Sequence, residues 1–277
     1  MENMPKAIIL SGYGINCEKE TKEAFELAGA SADIVHVNDL IKKEKKLEDY
    51  HIFTIPGGFS YGDDTGSGNA LANKLRFNLK YDIFDFVSSG KLVIGICNGF
   101  QVLVNLGLLP GFKDDIDSRS VALTHNNSAR YECRWVYLKV YSKKCIFTKG
   151  IDIFNLPVAH GEGNFFAEQK TLDKLNTDDQ VVFRYCDMNG NPVYGRFPEN
   201  PNSSMQDIAG ICDNSGRVLG MMPHPERAIY NNSYPQYPKQ KELLERQGET
   251  LPKINPFTFA VFKNAVDYAK ENFMTKN

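Results

Sequence analysis

The sequence predicts an α/β protein: an open, mostly parallel sheet with helices on both faces, extended by antiparallel strands in its second half. Three observations carry this. Strand and helix signals alternate through the first half. The run "KLVIGI" has no polar alternation and reads as a central strand buried on both faces. From about Arg119 the texture changes to polar–apolar alternation with Asn-Gly and Asn-Ser-Gly turns, the mark of antiparallel hairpins.

Each element follows in order. "KAIILSGYG" is the first strand; its apolar run is too short for a secretory leader and no small-residue cleavage pattern follows. "EKETKEAFELAGA" is a short amphipathic helix stopped by Gly29, and "ADIVHV" is the second strand. The lysine-rich stretch Lys42 to Asp49 reads as a solvated loop or helix face. "HIFTIPGG" is a third strand ending at Pro56-Gly57-Gly58. A helix broken or kinked near its middle is predicted over much of Asn69 to Ser89, ending at Gly90. "KLVIGI" is the fourth strand, and the helix "GFQVLVNLG" follows it directly. "RYECRWVYLKVYS" alternates like a half-exposed strand. "VVFRYCDMNGNPVYGRF" and "DIAGICDNSGRVLGMM" read as hairpins turning at Asn189-Gly190 and Asn214-Ser215-Gly216. A tyrosine- and proline-rich connection leads to a last helix within "PFTFAVFKNAVDYAKENF". No Pro/Ser/Gly linker divides the chain, so 1–228 reads as one domain and 229–277 as an extension whose helix packs on it.

With 277 residues, 42% of them apolar, the chain can bury a sizeable core. A net charge of -2 gives nucleic acid or an acidic membrane no reason to bind. No apolar run is long enough to span a bilayer, and Lys91 to Gly107 is interrupted by Asn98, Gln101 and Asn105. The cysteines at 17, 97, 133, 145, 186 and 212 form no C-x-x-C pair and no zinc ribbon. Reduced thiols and a cytoplasmic location are the expectation.

Ligands of doubly wound sheets gather outside the carboxyl ends of the strands. Pro56-Gly57-Gly58, Cys97-Asn98-Gly99 and Pro223-His224-Pro225-Glu226 all fall at such ends. Cys97 lies in G-x-C-x-G between a strand and a helix, where a nucleophile is lifted to the sheet edge and the helix N-terminus favours thiolate. Gln101 has a second reading, because Asn98-x-x-Gln101 resembles a capping box. A thiolate needs an imidazole partner. His36 and His51 lie in or beside early strands, and His125 lies in a polar loop. His160, in "PVAHGEGNF", competes with His224, in "GMMPHPER". Prolines on both sides hold His224 extended, so Glu226 shares its face and can orient the ring. Backbone N–H groups near Gly58 and Phe59 could join that of Asn98 in an oxyanion hole. "PGGFSYGDDTGSG" lacks the Lys-Ser/Thr ending of a phosphate loop.

Together "PGGFSYGD", "GICNGFQ", "PVAHGEGNF", "RYCDMNGNP" and "NPNSSMQDIAGICDNSGRVLGMMPHPER" resemble the class I glutamine amidotransferases, whose fold is flavodoxin-like. More narrowly they resemble the glutaminase components of phosphoribosylformylglycinamidine synthases. The resemblance implies Cys97 as nucleophile, His224 as base and Glu226 as its orienting partner. It implies an oxyanion hole at Gly58 and Asn98 beside Gly57 and Phe59, with Gln101 and the loop His160-Gly161-Glu162 holding the head group of L-glutamine. No cofactor is implied in this chain. ATP and Mg belong to a synthetase subunit that uses the ammonia to convert formylglycinamide ribonucleotide to its amidine, and a small bridging subunit is a further expected partner. Cys17, in "GINCEKE", stands outside the triad. After "FSYGD" the chain reads "DTGSGNALANKLR" where many members carry an arginine-containing segment. The residues by themselves leave open a γ-glutamyl hydrolase or cysteine peptidase acting alone, and a binding subunit with a silent thiol.

Overall fold

The computed structural model describes residues 4–111 and 119–274. The first half comprises β1 (Lys6–Ser11), α1 (Glu18–Leu27), β2 (Ser31–His36), α2 (Val37–Ile41), β3 (Ile52–Ile55), α3 (Asn69–Ser88), β4 (Leu92–Ile96) and α4 (Asn98–Leu106). Then follow β5 (Val121–Thr124), β6 (Glu132–Val140), β7 (Ile153–His160), β8 (Asn164–Ala167), α5 (Gln169–Thr177), β9 (Val181–Cys186), β10 (Ile208–Cys212), β11 (Val218–Met221), α6 (Tyr237–Arg246) and α7 (Pro256–Phe273).

One nine-stranded sheet runs in the order β2-β1-β3-β4-β11-β10-β9-β6-β7, with β5 and β8 paired separately. The pairs from β2 to β11 are parallel and those from β11 to β7 antiparallel. The expected mixed sheet is therefore present as one continuous layer. All of β4 is buried, as its unbroken apolar run predicts. Helices α1 and α7 pack together on one face, and α3 and α4 on the other. Phe25 meets Phe262 at 5.1 Å between ring centroids, and Phe53 meets Phe86 at 6.2 Å. Burying each such ring contributes about 2 kcal/mol.

Two expectations are corrected and one open reading is resolved. The helix over Asn69–Ser88 is unbroken, because Leu71, Leu75, Leu79, Ile83 and Phe86 form one buried stripe. The stretch from Val181 forms a strand but no hairpin: past the turn at Asn189-Gly190 only an isolated bridge joins Cys186 to Pro192, whose missing N–H cannot extend a ladder. The stretch from Lys42 to Asp49 is a loop with a single 3-10 turn at Leu47–Asp49.

The C-terminal segment returns to the sheet. Asn255 caps α7 by accepting from the N–H groups of Phe257 and Thr258, with Pro256 in the first turn. Val261, Phe262, Ala265, Val266 and Ala269 bury its inner face, and the Tyr268 hydroxyl donates to the Gly90 carbonyl at 3.2 Å. Among the described residues no helix is long and apolar enough to cross a membrane.

Candidate active site

The chain reverses from β4 into α4 at one residue, and that residue is Cys97. Its φ of 52° and ψ of -106° lie where a side chain is strained, at a cost of about 1–3 kcal/mol. Two hydrogen bonds hold the turn: the Cys97 N–H donates to the Met221 carbonyl at 2.7 Å, and the Gln101 N–H donates to the Cys97 carbonyl at 3.1 Å. The flanking glycines are required by packing. A Cβ on Gly99 would stand 1.8 Å from the Ile55 carbonyl oxygen, and one on Gly95 would stand 2.5 Å from the Gly99 carbonyl oxygen. The G-x-C-x-G pattern thus lets α4 lie directly on β3 and β4. The Cys97 thiol donates to the Ala159 carbonyl at 3.6 Å.

His224 reaches this elbow because β11 pairs in parallel with β4, Met221 opposite Ile96, so both strands end at the same edge. His224 is extended (φ -104°, ψ 91°) and its N–H donates to the Pro157 carbonyl at 2.9 Å. Glu226 meets it differently than an extended path would provide. Pro225 opens a 3-10 turn, and the turn swings the carboxylate back so that Oε1 lies 2.5 Å from His224 Nδ1. Both side chains are buried, Glu226 completely. Burial works against a charged imidazole here, but the Glu226 carboxylate and the Cys97 sulfur outweigh it, so the ring's pKa is held well above its ordinary value. Gly57 makes room for this ring: a Cβ there would stand 2.6 Å from His224 Cε1.

Gln101 and Asn98 do not form a capping box. Asn98 Oδ1 accepts from the Ser60 N–H at 3.1 Å, and its Nδ2 donates to Gln101 Oε1 at 2.9 Å. Gln101 Nε2 in turn donates to the Glu162 carbonyl at 2.6 Å, clasping the loop after β7 to α4. The Glu162 carboxylate accepts from the Ser67 N–H at 3.2 Å. Asp63 lies nearby, its carboxyl pushed up by burial and by the charge of Glu162.

His160 lies at the end of β7, 2% exposed, with its ring turned inward between two asparagines. Nδ1 lies 3.1 Å from Asn126 Oδ1, and Nε2 lies 3.5 Å from Asn202 Nδ2. Asn126 also accepts from the Gly163 N–H at 3.0 Å, and Asn202 donates to the Gly163 carbonyl at 2.8 Å. Burial first, and the nearby His224 second, push the His160 pKa down to about 3. It is a neutral hub under the Gly161-Glu162 turn. An unfolded chain gains a proton near pH 6.5 that the folded one refuses. Stability is therefore expected to fall as pH drops from there towards about 3. His160→Gln should flatten that slope in urea midpoints measured across the range; an unchanged slope would remove His160 as its source.

The Phe59 N–H is occupied by the Gly14 carbonyl at 2.7 Å. Its half-exposed ring instead leans on that of Tyr131, 6.0 Å away between centroids. The Tyr131 hydroxyl is pushed up by burial and by the neighbouring Cys97. No sequence signal assigns Tyr131, Asn126 or Cys17 to the site, and Asn202 stands out only as part of "NPNSS". Asn126 and Tyr131 lie in the β5–β6 connection, where no recognisable motif spacing marks them. Donor atoms of Cys17, His224 and Glu226 lie within 4.8 Å of one another. Arg227 Nη2 donates to Cys17 Sγ at 2.9 Å, a cation placed where a metal ion would be repelled.

The model of the CobB/CobQ-like glutamine amidotransferase domain matches residues 4–269. The phosphoribosylformylglycinamidine synthase subunit PurQ of Methanococcus maripaludis is 54% identical over 265 residues, 96% of this chain and 97% of the relative. The protein of the same name from Dehalococcoides mccartyi is 45% identical over 267 residues, 96% and 98% of the two chains. A chain in the solved structure of PurLQS from Thermotoga maritima matches with a TM-score of 0.69 at 30% identity, covering 96% of this chain and 99% of that one. The chain belongs to the glutamine amidotransferases and, among them, to the PurQ family of glutaminase subunits of phosphoribosylformylglycinamidine synthase.

Proposed function

We propose that Cys97, His224 and Glu226 hydrolyse L-glutamine to glutamate and ammonia through a thioester on Cys97. The observation that carries this is the convergence of a strained cysteine elbow and a His224–Glu226 pair at one sheet edge, with Nδ1 and Oε1 2.5 Å apart. The Cys97 thiolate attacks the side-chain carboxamide. The N–H groups of Gly58 and Asn98 receive the developing oxyanion, and protonated His224 gives its proton to the departing nitrogen. Water then adds to the thioester carbonyl and loses a proton to the now neutral His224, releasing glutamate and restoring the thiolate. Gly57 shapes the space around His224. Gln101, the Gly161-Glu162 turn and the negative charge of Glu162 and Asp63 suit the ammonium end of the substrate, while Phe59 and Tyr131 flank the mouth. His160 supports the turn from below.

The ammonia passes to an ATP-dependent synthetase subunit, with Mg and ATP bound there, that converts formylglycinamide ribonucleotide to its amidine; a small bridging subunit completes the complex. We place this in the cytoplasm, where the six free cysteines stay reduced. Residues 229–277 extend the amidotransferase domain, a reading supported by the packing of α7 on α1. A glutamine analogue with an electrophilic carbon tests the assignment. Mass spectrometry of the full chain with its synthetase should find the label on Cys97 alone. Label on another cysteine, or none, would remove Cys97 from the role.

A further inference from the structure

Cys17 is a buried thiol that the mechanism above does not use, yet it sits beside the catalytic ring. A Cβ on Gly57 would touch both, 2.6 Å from His224 Cε1 and 3.4 Å from Cys17 Sγ. Cys17 is the N-cap residue of α1, its carbonyl receives the Thr21 hydroxyl at 2.6 Å, and its own thiol donates to Asn16 Oδ1 at 3.2 Å. The sulfur is thus fixed in place, and it accepts from Arg227 Nη2 at 2.9 Å. Arg227 Nε then lies 3.8 Å from Glu226 Oε1, while Glu226 Oε2 is buried with no hydrogen-bond partner among the described residues.

We propose that Arg227, held by Cys17, is a positioning residue whose charge balances the buried Glu226 carboxylate once His224 has given up its proton, so that His224 can serve as base in thioester hydrolysis. The inference rests on the roles given above to Cys97, His224 and Glu226.

The argument is one of charge through the cycle. Once the Cys97 thiolate has formed, its charge and that of the Glu226 carboxylate are balanced by the His224 imidazolium and by Arg227. Acylation converts the thiolate to a neutral thioester, and the imidazolium proton leaves with ammonia. Glu226 is then a buried anion beside a neutral ring, and an unbalanced buried charge is costly. Without a counter-charge the His224–Glu226 pair would keep the imidazolium proton, and the ring could not take one from water. The groups facing the His224–Glu226 pair are Cys17 from the start of α1, Cys97 from the elbow, His160 from β7, Tyr131 from the β5–β6 connection, and Arg227 from its own turn. Arg227 is the permanent cation in that set. Burial and the Glu226 charge push the Cys17 thiol up, so it meets Arg227 as a neutral acceptor and leaves the guanidinium charge for Glu226.

The test uses the full chain assembled with its synthetase and saturating L-glutamine. Arg227→Met should lower kcat about tenfold, leave KM within about twofold, and raise several-fold the fraction of Cys97 trapped as glutamyl thioester by acid quench. The acid limb of the kcat profile should move to higher pH, because losing a nearby cation makes His224 harder to deprotonate. Cys17→Ala should shift all three in the same direction by less, and Cys17→Ser, which restores an acceptor, should recover most of the loss. If Arg227→Met fails to fold, judged by its Tm, the Cys17 pair carries the test. An unchanged thioester fraction and acid limb, or an effect on KM alone, would overturn the proposal. Absence of thioester in every protein, the unaltered chain included, would remove the Cys97 mechanism itself.

Discussion

Replacing Cys97 by serine is expected to lower glutamine-dependent amidine synthesis by about four orders of magnitude, while synthesis from added ammonium by the assembled enzyme stays unchanged. The reason lies in the elbow. A thiol beside an imidazolium is available as thiolate near neutral pH, whereas a serine hydroxyl in the same place is not. Serine keeps the volume, and the turn retains its backbone hydrogen bonds to Met221 and from Gln101, so the fold and the partner surface should survive. Two assays of amidine formation, one with glutamine and one with ammonium chloride, make the comparison. Glutaminase activity retained in the variant would assign the nucleophile elsewhere, and loss of both activities would mean that the substitution disrupts the complex.

Glu226→Gln is expected to lower kcat by about two to four orders of magnitude with little change in KM. In the native site burial disfavours a charged His224 ring, and Glu226 and Cys97 overcome it. Without the carboxylate, burial dominates, and the site relaxes to a neutral ring beside a thiol. The same linkage appears in stability. A histidine whose folded pKa is raised contributes stability that is fully present below about pH 6.5. That contribution is lost as pH rises through the elevated folded value. This is the opposite sign to His160, so the two variants should alter the pH–stability profile in opposite directions. A change confined to KM would place Glu226 on the substrate instead of behind the histidine.

Much of this site is legible in the residues. The apolar run ending in G-x-C-x-G marks the elbow because strand, turn and helix each have local rules, and only glycine fits where α4 meets β3 and β4. His224 and Glu226 are legible as a pair, although the 3-10 turn that joins them differs from the extended path expected. The kink expected in α3 is absent, since a buried apolar stripe overrides weak helix formers. Local spacing and periodicity alone do not separate His160 from His224. Both follow strands and both sit in loops rich in Gly or Pro.

What the sequence by itself determined is the α/β alternation, the cysteine turn and the two strand ends that could meet it, because these follow from side-chain periodicity and backbone sterics over a few residues. The tertiary structure decided that β11 lies beside β4, that Gln101 clasps the Glu162 loop, that His160 is a neutral support, and that Cys17 and Arg227 stand behind Glu226. Protonation and partner choice depend on burial and on charges brought together from distant parts of the chain, and neither is written in local spacing.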